Sequence, residues 1–264
     1  MKIGLTQIIL GQMSLDDTLA LCAEAGYDAV ELTFTAEGKD LNVGMSDDEL
    51  AGVASRCADA GVAVAASIAH YAERGNLMSR DAAQREACCR SLARSVEIAG
   101  KIGTDAVLLH PGQLQVEGTY SQAWDDLVGA LRDLAPVAAQ HGAAIAVENV
   151  WNKFMLSPRE AAQLADEVDS EWVGIYLDTA NMMAYGYPEH WIRDLGSRIK
   201  KVHLKDFDRG ARQFVDLMDG DTDWPTVMAE LRAIGYEDTL IHEVGGDEAK
   251  QIEMAERMRR IAAS

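Results

Sequence analysis

Eight short apolar runs rich in β-branched residues, each followed by a longer stretch of helical character, constrain this chain more than any other feature. They lie at 2–6, 28–33, 62–67, 104–109, 143–148, 173–178, 199–205 and 239–243. Their nearly continuous apolar character is that of parallel strands covered on both faces, because a strand with one wet face alternates instead. Between them, 79–101 and 119–141 repeat Leu, Val and Ala at the spacing of one helix face. Ser14 with Asp17, Ser46 with Glu49, and the pair Ser157-Pro158 read as helix starts. Gly26, Gly61, Gly103, Gly142 and Gly235 stand where helices end. No run is followed by G-x-G-x-x-G, and no linker or low-complexity stretch divides the chain. The pattern therefore predicts an α/β fold, a (β/α)8 TIM barrel forming a single domain over 1–264, in preference to an open doubly wound sheet.

Composition narrows the partners. With 43 acidic against 24 basic residues the formal charge is -19, a field that repels a nucleic-acid backbone. No window is long and apolar enough for a membrane span, and the N-terminal stretch lacks the apolar core of a signal peptide. The 4 cysteines form no C-x-x-C pair and read as small buried hydrophobes or ordinary thiols, which predicts a reducing, cytoplasmic home.

The chemistry gathers at the ends of the later runs. The fifth run finishes in Glu148, the sixth in Asp178, the seventh contains His203 near its end, and the eighth finishes in Glu243. A carboxylate closing an apolar strand is expensive to bury unless paired, hydrogen-bonded or bound to a cation. Four consecutive strands would place these groups along one side of the barrel mouth, where the architecture puts active sites. Three carboxylates so close cannot all stay ionised without a cation or raised pKa values. Oxygen-rich donors with one nitrogen predict one divalent metal ion per chain, Mn²⁺, Mg²⁺ or Co²⁺, rather than a structural zinc. The competing expectation is that each residue serves separately as a cap or ion-pair member.

Further polar residues follow the same strands: His70, His110, Trp151, Asn152, Lys153, Asn181, Lys205 and Arg209. Amides and imidazoles satisfy hydroxyl groups and an indole covers the apolar face of a sugar ring, so the set suits a small polyhydroxylated substrate. Lys153, Lys205 and Arg209 have two readings: they grip a substrate phosphate, or they pair with Asp206, Asp208 and the acidic cluster.

At VENVWNKFMLSP (147–158), GIYLDTANM (174–182), KVHLKDF (201–207), GDTDWPTVMAELRAIGYEDTLIHEV (220–244) and, more weakly, LLHPG (108–112), the chain resembles the xylose-isomerase-like superfamily of barrels, in its sugar (phosphate) isomerase and epimerase branch. The resemblance implies a metal held by Glu148, Asp178, His203 and Glu243. It also implies, as in ketose 3-epimerases, that Glu148 and Glu243 are the two catalytic acid–base groups, working on opposite faces of one carbon through an enediolate. Arg209 matches an arginine that ketose 3-epimerases carry after the strand-7 histidine. Departures lie at Asn181, where free-ketose epimerases have histidine, and at Phe154, where they have glutamate. Apurinic-site endonucleases of the same superfamily use three zinc ions, but Asn181 replaces one of their histidines and their D-x-H after strand 7 is missing.

The resulting expectation is an isomerase or epimerase of a sugar or sugar phosphate, most specifically a ketose 3-epimerase. Lyase chemistry on a C-glycoside or cyclic polyol is the alternative within the fold, and a non-catalytic sugar-binding barrel the alternative outside enzymology. The stretch Met182, Met183, Tyr185, Tyr187, Trp191 offers either a lid or the interface of a homodimer or homotetramer.

Overall fold

The computed structural model describes residues 1–34, 40–70 and 75–264. Eight parallel strands close into a barrel: β1 (Ile3–Thr6), β2 (Ala29–Leu32), β3 (Ala63–Ile68), β4 (Ala106–Leu109), β5 (Ala144–Glu148), β6 (Val173–Asp178), β7 (Ile199–Leu204) and β10 (Leu240–His242). Between β7 and β10 the chain also forms a two-stranded hairpin of β8 (Asp206–Asp208) and β9 (Gln213–Val215), outside the barrel wall. Going round the barrel, the order is β1-β10-β7-β6-β5-β4-β3-β2. The helices are α1 (Leu15–Ala25), α2 (Asp47–Asp59), α3 (Ala82–Ile102), α4 (Tyr120–His141), α5 (Pro158–Val168), α6 (Pro188–Leu195), α7 (Trp224–Ala233) and α8 (Glu248–Ala262). The expected (β/α)8 barrel is therefore the fold.

Local chemistry sets the helix ends. Ser46 and Glu49 form a reciprocal capping box at the start of α2, and Thr119 with Gln122 forms another at α4. Ser14 caps α1 through the Asp17 amide, and its own hydroxyl goes to the Asp17 carboxylate, so only half of the predicted box is made. Gly103 closes α3 at φ +84, a backbone geometry that costs a residue with Cβ.

Among the described residues the core has two main parts, with a small third cluster of Ala180, Met183 and Phe207 beside the hairpin. A large apolar layer fills the space between strands and helices, joining Leu5, Leu32, Val107, Leu127 and Leu231 among others. Inside the barrel a smaller cluster holds Ala29, Ala65, Ala66, Leu108, Ala146, Tyr176 and Ile241. Alanines on β2, β3 and β5 leave room there for one large ring, Tyr176, and for polar side chains above it.

Several strands begin or end a residue or two away from the expected runs, and the clearest departure follows the seventh. The seventh run ends at Leu204, one residue early, and the chain then enters the β8–β9 hairpin. The cause is Asp206: its buried carboxylate accepts the amides of Met218, Gly220 and Thr222, the Thr222 hydroxyl and the Trp224 indole N–H. That knot pulls the chain back beside the mouth. Of the aromatic and Met stretch after β6, Met182, Met183 and Trp191 are buried, while Tyr185 and Tyr187 stand exposed. Among the described residues no helix is long and apolar enough to cross a membrane.

Candidate metal centre and its cavity

The strand ends bring Glu148, Asp178, His203 and Glu243 together, with one potential ligand atom from each lying within 4.8 Å of all the others. Register accounts for this: Asp178 pairs with His203 across β6 and β7, and His203 with Ile241 across β7 and β10. Glu148 is the last residue of β5 and Glu243 follows β10 directly.

Asp178 is fully buried and held rigidly. Its Oδ1 accepts the amides of Ala180 and Asn181 at 2.9 and 2.7 Å, and its own amide donates to Asn149 Oδ1 at 2.8 Å. Asn149 returns the bond through its amide to the Asp178 carbonyl, which ties the end of β5 to that of β6. The other oxygen, Oδ2, has no hydrogen bond and faces Lys205 Nζ at 3.5 Å. His203 Nδ1 likewise has no hydrogen bond, although Glu148 Oε1 and Glu243 Oε2 lie 3.6 and 3.4 Å away. Two buried ligand-type atoms in one cluster, neither with a hydrogen bond, are what a cation would satisfy, so the donor set fits a divalent metal.

The charges are strongly perturbed. Burial, reinforced by Asp178 and Glu243 and opposed by His203, pushes the Glu148 carboxyl up to about 7. Burial would raise Glu243 too, but His203 and Lys205 outweigh it and pull the group down to about 2. His203 is raised well above the usual imidazole range against its own burial, because Glu31, Glu148 and Glu243 surround it. Lys205 is raised likewise against burial, by Asp178, Glu243 and Glu148.

A cavity of about 900 Å³ opens over the cluster. Glu148, His203, Glu243, Lys205, Asn181, Trp151, His70 and His110 all line it, together with Phe34 and Asn76. Trp151 is half exposed and packs against Phe214 of the hairpin, ring centroids 5.0 Å apart, so β9 backs the indole that lines the cavity. Burial lowers both His70 and His110, which favours the neutral ring in each.

Asn152, Lys153 and Arg209 do not line this cavity. Asn152 is buried and bridges loops, donating to the Gly112 carbonyl and accepting from the Phe154 amide. Lys153 is exposed on a left-handed backbone at φ 65. Arg209 is held by the carbonyls of Met183 and Gly186 and lies over the Tyr187 ring. Lys205 lines the cavity and donates to Glu243 Oε2 at 3.1 Å. Asn181 reaches the cavity edge while its amide donates to the Asn149 carbonyl. Sequence reasoning missed Glu31 and Tyr176. Glu31 and Tyr176 sit within apolar runs, and nothing in a linear pattern marks an inward-facing polar residue as a neighbour of the site.

The model of the xylose isomerase-like TIM barrel family matches residues 19–262. The chain belongs to that family. Relatives of this xylose isomerase-like barrel include an L-ribulose 3-epimerase of Mesorhizobium japonicum, 28% identical over 240 residues that cover 88% of this chain and 76% of the relative. A 2-epi-5-epi-valiolone 7-phosphate 2-epimerase of Actinoplanes sp. is 28% identical over 211 residues, covering 78% and 72%. A solved L-ribulose 3-epimerase structure superposes with a TM-score of 0.81 at 23% identity, covering 99% of this chain and 93% of the other.

Proposed function

We propose that this barrel is a divalent-metal-dependent sugar epimerase or isomerase, and most specifically a C3 epimerase of a ketose or ketose phosphate. The observation that carries the reading is the placement of two carboxylates of the four-residue cluster on one cavity. Glu148 and Glu243 both line it, reaching it from separate strand ends, so two proton-transfer groups flank the space where a sugar would sit beside the ion. The epimerase names of the relatives support the same class.

Glu148, Asp178, His203 and Glu243 would hold one Mn²⁺, Mg²⁺ or Co²⁺, which would supply Lewis acidity that makes the C–H next to a sugar carbonyl removable. The chain then moves the protons. One glutamate takes the hydrogen from the carbon, and the other returns one to the opposite face. Trp151 covers the apolar side of the sugar, and His70, His110 and Asn181 meet hydroxyls as neutral partners. The free cysteines Cys22, Cys57, Cys88 and Cys89 support a reducing, cytoplasmic setting.

The test is exchange in deuterated water with Glu148→Gln and Glu243→Gln, metal occupancy being verified by elemental analysis. Each variant should lose full turnover while still exchanging the C–H of one epimer, and the two should act on opposite epimers. Normal epimerisation by either metal-loaded variant rules out the two-base scheme. Release of water or an aglycone by the native enzyme, without single-carbon exchange, transfers the site to the lyase class.

A further inference from the structure

We propose that Glu31 is a positioning residue of the metal centre: reaching across the barrel interior, it fixes the tautomer of His203 and turns Nδ1 toward Glu148 and Glu243. This inference rests on the reading of the four-residue cluster as a divalent site.

Glu31 belongs to β2 and is completely buried, whereas His203 belongs to β7, and β1 and β10 separate the two strands around the wall. The carboxyl therefore meets the imidazole through the interior rather than along the sheet. It sits between two partners. Tyr176 donates its hydroxyl to Oε2 at 2.5 Å, and His203 Nε2 lies 3.0 Å from Oε1. The Tyr176 ring also packs on the His203 ring, with centroids 4.5 Å apart.

A carboxylate accepts and does not donate, so the imidazole nitrogen facing it carries the hydrogen. Once the imidazole gives up its second proton, Nδ1 is the nitrogen with the free lone pair, and it is the one found without a hydrogen bond between the two glutamates. A ligand histidine whose other nitrogen is held by a carboxylate is fixed in ring plane and tautomer and made a better donor. Tyr176 holds the carboxyl, the carboxyl holds the ring, and the small residues Ala29, Ala66 and Ala146 leave the interior space for both. Without the metal centre, such an arrangement has no evident structural purpose, since apolar side chains would fill the same volume at lower cost.

Two measurements test this without turnover. First, protein labelled with ¹⁵N-histidine is loaded with Zn²⁺ alone and read by NMR: Nδ1 of His203 should move to the metal-bound range while Nε2 keeps its proton. Second, Mn²⁺ titration of Glu31→Gln, which keeps the shape and loses the charge, should show binding weakened about 10- to 100-fold, and Tyr176→Phe should show a smaller loss. Zinc found on Nε2, or Mn²⁺ bound by Glu31→Gln as tightly as by the native protein, overturns the proposal. If Glu31→Gln does not fold, the NMR result and Tyr176→Phe decide, and native affinity in Tyr176→Phe with zinc on Nε2 counts against it. An active epimerase with an indifferent Glu31 rejects this inference alone, whereas a Glu31-dependent metal site without proton exchange on any sugar rejects only the proposed function.

Discussion

The two ends of the barrel both bury charge, but they settle it differently. At the end where the strands begin, Lys201 is buried and its ammonium binds two carboxylates, Asp105 at 2.8 Å and Asp238, both partly in water. None of these three leaves a buried polar atom without a partner among the described residues. At the end where the strands finish, three carboxylates face one imidazole and Lys205, and two buried ligand-type atoms, Asp178 Oδ2 and His203 Nδ1, stay without a hydrogen bond. A closed cluster serves stability, whereas an open one keeps an unmet demand for a cation and bears the cost in the metal-free state.

Breaking each end should therefore give opposite signatures. The largest effect is expected from Asp178→Asn: its Oδ1 can still accept the Ala180 and Asn181 amides, so the fold persists, while metal affinity falls by more than about 100-fold, beyond what outer partners cost. Its metal-free melting temperature should be unchanged or higher, since one repelling charge is gone. Calorimetric titration and thermal melts measure both quantities, and native affinity would remove Asp178 from the ligand set.

Lys201→Met should do the reverse. Asp105 and Asp238 can rehydrate, so the loss should stay below the roughly 3–5 kcal/mol of a buried pair broken on one side. Denaturant unfolding should register about 1–3 kcal/mol of destabilisation, with Mn²⁺ affinity unaltered. A large drop in affinity with unchanged stability would show that the two ends are coupled.

Acidity sharpens the contrast at the mouth alone. Glu148 holds its proton up to about pH 7 in the metal-free protein, and His203 keeps its second proton well above the usual imidazole range. Ligands bind metal in their deprotonated forms, so Mn²⁺ uptake should expel both protons below pH 7 and only the imidazole proton above it. Affinity should accordingly rise more steeply with pH below 7 than above. Stability of the metal-free protein runs the other way. The raised Glu148 favours folding fully below its unfolded value of 4.5 and loses that contribution as pH climbs through about 7. The depressed Glu243 contributes above 4.5 and loses its contribution only as pH falls toward about 2. Titration in buffers of different ionisation heat counts the protons, and pH-independent uptake would contradict the assignment.

The smallest effect is expected from Trp151→Ala. Its ring covers one wall and holds no ligand, so KM should rise about fivefold to tenfold, the equivalent of roughly 1 kcal/mol of lost packing, with kcat nearly kept. A collapse of kcat instead would mean that the indole orders the reacting groups.

Much of the barrel was legible in the chain because each strand is buried on both faces and each helix on one, which writes two different periodicities into neighbouring segments. Glu148, Asp178, His203 and Glu243 stood out for a related reason: an ionisable group at the end of an apolar strand is costly to bury unless something binds it there. Lys205 remained ambiguous, because a lysine at that position serves phosphate or carboxylate equally well until its neighbours are known. The β8–β9 hairpin was hidden, since a single aspartate gathering amides from ten or more residues downstream leaves no local pattern.

By itself the sequence determined the strand and helix periods, the capping residues and the four donors at the mouth, all of which depend on neighbours a few positions away. Only the closed barrel decided which polar side chains meet across its axis. Glu31 reaching His203 from β2, Tyr176 anchoring that carboxyl from β6, and Trp151 meeting Phe214 at the rim are contacts between distant segments. Their partners are set by strand order and register, and no local spacing in a chain encodes either.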